Sequence, residues 1–452
     1  MELTFKELVD AINGEVLVDN SNKEFDGIAI DSRKVEKNNI YWAIKGEHFN
    51  GNDFAVNALK DGATIAIVEE VNFDIHTAEN LGIIIKVPST LQALLDLGSY
   101  YRNKLDIKII GVTGSTGKTS TKDLVAALLS DKYKVFKTKG NYNSEIGLPL
   151  MIMQLTSEYD VAVLEMGMSH LGDIDLLAKV ATPDIAVITN IGITHIENLK
   201  TQENILKAKM EIINYFNENN ILIVNGEDEK LCKINKSSFK VEKIGYNHEY
   251  DVYASNIILR EEETEFLAHA NGEKAVFTLP MAGKHNVLNS MLAIAVAKNL
   301  GVTFEEMKSG LKNIEATSMR LQLIKKDNIT IVNDCYNASP DSMKSSLDVI
   351  KTYKGFRKVA ILGDMYELGT KTEEAHIEVG EYAKDKVDLL IAIGENINNY
   401  EKGFESKNIK LYKTKDECII DLPKLINTGD IILVKASRGV KLEDIVLELE
   451  KM

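Results

Sequence analysis

The sequence predicts an α/β protein of three domains: a small N-terminal α/β domain, a central parallel sheet carrying a phosphate loop, and a C-terminal Rossmann-like sheet. Three observations predict it. The 452 residues amount to about three domains of ~150 residues each. From Ile107 onward, short apolar runs rich in β-branched residues alternate with helix-forming stretches, as parallel strands joined by helices do. One such run opens directly into the glycine-rich turn Gly111-Val112-Thr113-Gly114-Ser115-Thr116-Gly117-Lys118-Thr119-Ser120, followed by a helix-forming segment.

The first domain is expected over residues 1–86, where an amphipathic helix precedes the strands Ile40–Ile44 and Ile65–Val68, punctuated by Gly46, Gly51 and Gly62. Residues 87–317 form the central domain. A helix after Pro88 leads into the strand Ile107–Val112, and further strands follow at Val161–Leu164, Ile185–Thr189 and Ile221–Asn225. Tyr250–Leu279 reads as β-ribbon. The third domain, residues 318–452, carries strands at Ile329–Val332, Lys358–Leu362, Leu389–Ile393 and Ile431–Val434 separated by helical segments.

Charge narrows the function. Fifty-three Lys and Arg stand against 68 Asp and Glu, a net charge of −15, which argues against nucleic-acid binding through overall positive charge. An anionic ligand must therefore be held by a local cluster of donors. Cys232, Cys335 and Cys418 are scattered and odd in number, so no disulfide framework or structural zinc site is expected, and a reducing cytoplasm suits the chain. The N-terminal segment lacks a basic start followed by an apolar core, and no apolar run reaches membrane-spanning length, so neither a signal peptide nor membrane insertion is expected.

In the glycine-rich turn, Gly114 and Gly117 let backbone N–H groups face phosphate oxygens, Lys118 would neutralise the β and γ phosphates, and Thr119 would offer a hydroxyl to Mg²⁺. The strict phosphate-loop pattern would place glycine where Val112 stands, so this is a variant with glycine at 111 and 114. Such a loop alone does not separate switches, motors, kinases and ligases.

Downstream, the apolar strand Val161–Leu164 ends at Glu165, and a strand's carboxyl end in a parallel sheet lies at the ligand crevice. Glu165 is thus placed to meet a metal, or it is simply a solvated strand end. After the strand Ile185–Thr189, His195 falls in a loop at the same edge, as a metal ligand or an ordinary loop residue. A helix expected over Glu203–Phe216, projected at 100° per residue with Ile205 at zero, puts Lys209 inside the apolar arc of Leu206, Ala208, Met210, Ile212, Ile213 and Phe216 while Lys207 and Glu211 fall on the polar side. An inward lysine is costly unless paired, modified or able to snorkel to water.

The segments TGSTGKTS, LEMGM, TNIGITHIE and AKMEI resemble the Mur ligases, bacterial ATP-dependent amide-forming enzymes of peptidoglycan precursor synthesis. The resemblance spans nearly the whole chain, continuing through Gly283–Asn289, Ser318–Gln322, Asn333–Met343 and Leu362–Gly369. The last two segments are similar to the branch that adds D-alanyl-D-alanine to UDP-N-acetylmuramoyl-tripeptide. The Asp-Asn-Pro-Arg motif of the diaminopimelate-adding branch is absent.

This resemblance implies the three-domain Mur ligase architecture and an acyl-phosphate mechanism. It implies that ATP is bound by Thr113, Gly114, Ser115, Thr116, Gly117, Lys118, Thr119 and Ser120, with Asn286 and Asn289 flanking adenine and Arg320, Asp334 and Asn337 approaching from the third domain. Two Mg²⁺ ions are implied, one on Thr119 and Glu165 and one on His195 and a carbamylated Lys209, with Lys118, His195 and Lys209 as the catalytic residues. Ser32, Arg33, Lys45, Asn141 and Asn143 are the implied contacts to the UDP-sugar peptide. A monomer acting on two small-molecule substrates is expected. Asn50-Gly51-Asn52-Asp53-Phe54 departs from the family's usual Asp-Gly-His-Asp-Phe, and Ser144 stands where Asn is frequent. The competing readings are another Mur branch, a folylpolyglutamate-synthetase-like enzyme, against which the first-domain substrate segments argue, and a switch that hydrolyses ATP on meeting a partner.

Overall fold

A computed structural model describes residues 1–235, 238–314 and 317–452. Three sheets organise the chain. The first runs in the order Glu15–Val18, Ile83–Lys86, Ile65–Val68, Ile40–Trp42, Ile28–Ala29, with only its first pair antiparallel.

The central sheet has nine strands. Its order is Glu273–Leu279, Thr264–Ala270, Val252–Leu259, Lys240–Gly245, Ile221–Asn225, Ile185–Ile188, Lys108–Thr113, Val161–Glu165, Val135–Lys137. The last seven are parallel, and the hairpin of the first two is added antiparallel at one edge. The β-ribbon expected over Tyr250–Leu279 is therefore the margin of the main sheet, not a separate unit.

Parallel strands covered on both faces are apolar, and the four at the middle of this sheet follow that rule. Ile109, Leu164, Ile188 and Val224 pack beneath the helices Thr90–Lys104, Asp173–Ala181 and Gln202–Met210, while Ile110, Val163, Val187 and Ile223 pack beneath Lys118–Leu129 and Lys284–Asn299. The Thr90–Lys104 helix also serves the first domain. Trp42 Nε1 donates to Thr90 O at 2.8 Å, and the buried Tyr101 hydroxyl donates to Leu155 O at 2.7 Å, so one apolar core runs from the first sheet into the second.

The third sheet has six strands in the order Gln322–Lys325, Thr330–Asn333, Ile431–Lys435, Lys358–Gly363, Leu389–Ile393, Ile409–Tyr412. Only the outer strand Gln322–Lys325 is antiparallel. Among the described residues no helix is long and apolar enough to cross a membrane.

One expected element is shorter than its periodicity suggested. The α-helix containing Lys209 spans Gln202–Met210 and tightens into a 3-10 turn over Glu211–Ile213 instead of continuing to Phe216. Glu211 is not a solvated polar-face residue either. Its carboxylate accepts from the N–H groups of Gly172 and Asp175 at 2.9 and 3.2 Å, capping the Asp173–Ala181 helix.

Candidate active site

The strand Lys108–Thr113 ends in the phosphate loop, and the helix Lys118–Leu129 begins at its far side. Gly114 has φ 150°, and a Cβ there would lie 1.8 Å from Thr189 Oγ1; Gly117 has φ 78° and caps the helix without a side chain. Both positions exclude other residues, and the free first-turn N–H groups face the cavity as an anion site. The loop is braced by the neighbouring strand end. Asn190 Oδ1 accepts from Ser115 N and Thr116 N at 3.1 and 2.9 Å, and Thr189 Oγ1 donates to Thr116 O at 2.5 Å. Thr113 is part of the floor, its hydroxyl donating to Met166 O at 2.9 Å.

Glu165 ends the adjacent strand, paired opposite Val112 and almost fully buried. Thr119 Oγ1 donates to its Oε2 at 2.9 Å, Asn143 Nδ2 donates to its Oε1 at 3.0 Å, and its own N–H donates to Thr138 Oγ1 at 2.9 Å. Burial pulls the Lys118 ammonium below its ordinary range, an effect the Glu165 carboxylate opposes. Lys118 Nζ rests on Gly114 O at 2.9 Å.

Lys209 is 1 % exposed. Burial, reinforced by the charge of Lys118, pushes its pKa well below the usual lysine value of 10.5. Among the described residues no acidic side chain pairs with it. Lys207, two residues earlier, is exposed, as the helix projection requires. His195 precedes the short helix Ile196–Leu199 with φ 60°, and its Nδ1 lies 2.6 Å from Oε2 of Glu367 in the C-terminal domain. His195 holds the Glu367 carboxyl below the usual glutamate range.

A cavity of about 750 Å³ lies between the central and C-terminal domains. Its walls bring together the loop residues Ser115 to Ser120 with Asn286, Asn289, Arg320, Asp334 and Asn337. Asn286 and Asn289 lie inside the Lys284–Asn299 helix, joined by a 3.2 Å bond from Asn289 Nδ2 to Asn286 Oδ1, so neither is a cap. The Arg320 guanidinium stacks 4.1 Å above the Tyr336 ring, its Nε buried and without a hydrogen-bond partner among the described residues. Asp334 is fixed by Lys435 Nζ at 2.5 Å, Ser346 Oγ at 2.7 Å and Leu321 N at 3.1 Å. A second recess of about 210 Å³ adjoins it, lined by Thr194, Asn337, Glu367, Ser437 and Arg438 among others.

The remaining expected site residues lie elsewhere. Ser32 and Arg33 form a 3-10 turn capped by Asp31, whose carboxylate receives Arg33 Nε and Nη2 at 2.9 Å each. Lys45 pairs with Glu70 at 2.7 Å, and Asn141 is exposed. None of these four lines either cavity, whereas Asn143 reaches Glu165. Asn50 and Asn52, the departures from the family pattern, have a local role: buried Asn52 accepts from Glu69 N at 2.9 Å and donates to Asn50 Oδ1 at 2.7 Å. Two residues in contact with the expected site carried no assignment in the sequence, Asn190 and Glu367. Both sit in motifs, but each acts on a distant segment, and only the three-dimensional contact discloses it.

Residues 112–297 match the family described as Mur ligase middle domain, residues 319–438 the Mur ligase glutamate ligase domain, and residues 24–102 the Mur ligase family catalytic domain. The chain is 38 % identical to the UDP-N-acetylmuramoyl-tripeptide–D-alanyl-D-alanine ligase of Bacillus subtilis (strain 168), covering 99 % of this chain and 98 % of that one. It is 32 % identical to the ligase of the same name from Escherichia coli (strain K12), covering 100 % and 99 %. Among solved structures, MurF from Acinetobacter baumannii superposes with a TM-score of 0.91 at 30 % identity, covering 99 % of both chains. MurF ligase from Thermotoga maritima in complex with ADP superposes with a TM-score of 0.83 at 32 % identity, covering 94 % of this chain and 97 % of that one. Full-length likeness of this order, together with a phosphate loop facing the C-terminal domain across one cavity, means that the chain belongs to the Mur ligase family, in its MurF branch.

Proposed function

We propose that this protein is the ATP-dependent ligase that joins D-alanyl-D-alanine to UDP-N-acetylmuramoyl-tripeptide, giving the pentapeptide precursor of peptidoglycan with release of ADP and phosphate. The observation that carries the reading is the full-length likeness to enzymes of that name in a chain whose phosphate loop, with Glu165 bonded to its Thr119, meets third-domain residues Arg320 and Asp334 at one cleft.

Amide formation from a carboxylate in water needs an activated acyl group. A carboxylate oxygen of the tripeptide attacks the γ-phosphorus of ATP, expelling ADP. The free amine of the dipeptide then attacks the acyl carbon, the C–O bond to phosphate breaks, and the nitrogen loses a proton. This chain's contribution is placement and charge. The loop N–H groups and Lys118 hold the β and γ phosphates; Asn286, Asn289, Arg320, Asp334 and Asn337 hold the nucleoside end. Ser32, Arg33, Lys45, Asn141 and Asn143 hold the UDP-sugar peptide, for which Arg33 must exchange Asp31 for diphosphate. The smaller recess beside Glu367 and Arg438 has the position for the dipeptide amine.

The donors suit magnesium. Thr119 and Glu165 offer hard oxygens in contact, and among the described residues no group of three or more His, Cys, Asp or Glu could hold an ion unaided. The nucleotide and water would supply the other ligands. Bound there, Mg²⁺ neutralises charge on the phosphates. A second ion would be held by His195 and by Lys209 as a carbamate, a modification that requires the neutral amine that burial favours. The three free cysteines and the need for ATP fit an enzyme of the cytoplasm, read here as a monomer.

Phosphate release tests the reading. Release that requires both UDP-N-acetylmuramoyl-tripeptide and D-alanyl-D-alanine, with stoichiometric coupled product, is expected. Hydrolysis without coupling, stimulated by another macromolecule, would instead make the chain an ATPase switch.

A further inference from the structure

The segment that leads into the C-terminal sheet is wound into a turn over residues 317–320, closed by Arg320 N donating to Thr317 O at 3.2 Å. Met319 and Leu321, on either side of Arg320, have φ 57° and 48°. Residues of these types keep a left-handed backbone only where surrounding contacts hold it, and such holding concentrates at functional sites. The C-terminal domain supplies one set of contacts. Leu321 N donates to Asp334 Oδ1 at 3.1 Å, Met319 N to Gln322 Oε1 at 3.1 Å, and Tyr336 N to Met319 O at 3.3 Å.

The central domain holds the other end of the turn through Asp123, whose Oδ2 accepts from Thr317 Oγ1 at 2.5 Å. Asp123 lies in the Lys118–Leu129 helix, almost fully buried, and has no part in the chemistry above. Lys137 Nζ donates to its Oδ1 at 2.8 Å, and the buried Lys122 Nζ lies 3.3 Å from the same oxygen, so the charge is met on one side and Oδ2 is left to Thr317. Lys122 Nζ is itself anchored on Thr138 O at 2.9 Å. The carboxylate therefore has a fixed place, unlike that of an exposed ion pair, whose geometry little constrains.

Spacing ties this clasp to the nucleotide site. Residues four apart on a helix share a face one turn apart, so Thr119 and Asp123 stand in line along the phosphate-loop helix. Arg320 Nη2 lies 3.5 Å from Thr119 Oγ1. Two positions a turn apart on the helix thus meet two positions a turn apart in the segment, Thr119 with Arg320 and Asp123 with Thr317, and all four line the large cavity. We propose that Asp123 is a positioning residue: by accepting the Thr317 hydroxyl it lays the segment along the phosphate-loop helix and sets the Arg320 guanidinium in the nucleotide site. This rests on the role given to Arg320 under the proposed function.

Calorimetric titration of the full-length chain with ATP tests this without turnover, so a failure of the ligase reading leaves the test intact. Thr317→Val removes the hydroxyl, keeps the outline of a half-buried side chain and leaves Asp123 paired with Lys137, so it should melt as the wild type does. It should weaken ATP binding about 10-fold, the order of one hydrogen bond to a charged group, and Thr317→Ser should restore the affinity to within about twofold. Asp123→Ala should weaken ATP binding at least as much. The decisive comparison is made in Arg320→Met, itself expected to bind ATP less tightly. A clasp that works through Arg320 adds nothing once the guanidinium is gone, so Thr317→Val should change affinity there by less than about twofold. A further loss of about 10-fold in that background would make the contact a general packing feature and overturn the proposal, as would wild-type affinity in Thr317→Val or Asp123→Ala. If Arg320→Met binds ATP as the wild type does, the role of Arg320 fails, and the proposal fails with it for a reason separable from Asp123.

Discussion

The Thr119 hydroxyl donates to the Glu165 carboxylate at 2.9 Å, tying the first turn of the phosphate-loop helix to the end of the neighbouring strand. Val112 and Glu165 are register partners, so strand pairing helps to align these two oxygens. Thr119→Ala and Glu165→Gln should each lower kcat by about 100-fold or more and raise the Mg²⁺ concentration giving half-maximal rate. Thr119→Ser keeps the hydroxyl and should cost far less. Steady-state kinetics across a Mg²⁺ titration checks this; an unchanged Mg²⁺ requirement in Glu165→Gln would remove Glu165 from the metal site.

Lys209 and Lys207 share a helix and differ in burial, which makes them a matched pair. Burial lowers the Lys209 pKa well below 10.5, which favours the neutral amine, the form that reacts with carbon dioxide. With ¹³C-bicarbonate, a carbamate carbon signal is expected in the wild type and in Lys207→Ala, and it should be absent from Lys209→Ala. Turnover should follow the signal, lost with Lys209 and nearly intact without Lys207. Comparable small losses from both substitutions would end the carbamate reading.

The local parts of this site were legible in the sequence, and the parts made by distant contact were not. The phosphate loop and Glu165 could be read because a strand's end and the turn after it are neighbours in the chain as in space. Lys209 could be read because helical period alone puts it in the apolar arc, of which Ile205, Ala208 and Ile212 are buried and Leu206, Met210, Ile213 and Phe216 half-buried. The strand Lys240–Gly245 escaped notice because three of its residues, Lys240, Glu242 and Lys243, are charged; Glu242 is nevertheless buried, accepting from Asn299 Nδ2 at 2.7 Å. The helix ended early because Glu211 turns to cap another helix, a use no periodicity records. Asn190 and Glu367 were invisible for the same physical reason: a side chain that holds another segment's backbone or imidazole leaves no pattern in its own neighbourhood.

Asp334 and Lys435 form an ion pair at 2.5 Å, both almost fully buried, where the third domain faces the nucleotide cavity. Removing one member strands the other's charge, which typically costs about 3–5 kcal/mol. Lys435→Met should therefore lower stability by about that amount, while adding Asp334→Asn should recover much of it. Urea denaturation of the single and double variants measures the difference. Additive losses would mean that the Asp334 bonds to Ser346 and Leu321 already satisfy the carboxylate. ATP affinity should stay low in the double variant, since the cavity wall has lost its carboxylate.

His285 lies on the same cavity, and burial is the main reason its imidazole pKa falls from 6.5 to about 4; Asp334 and Asp348 oppose the fall and Lys435 assists it. The folded value lies below the unfolded one. As pH drops through 6.5 the unfolded chain takes up a proton that the folded chain refuses until about 4, so this residue makes stability decline between those two values and rise again as pH increases. Buried His376, whose pKa is also lowered by burial, acts in the same direction. His285→Gln should flatten part of the decline, whereas carboxylates held near 2, such as Glu7 and Glu70, weaken stability only as pH falls toward their ordinary value of 4.5 and below, and are common to both proteins. Urea midpoints at closely spaced pH values from 7 to 4.5 provide the comparison. A wild-type slope that persists undiminished in His285→Gln would show that His285 accepts its proton in the folded state as readily as in the unfolded chain.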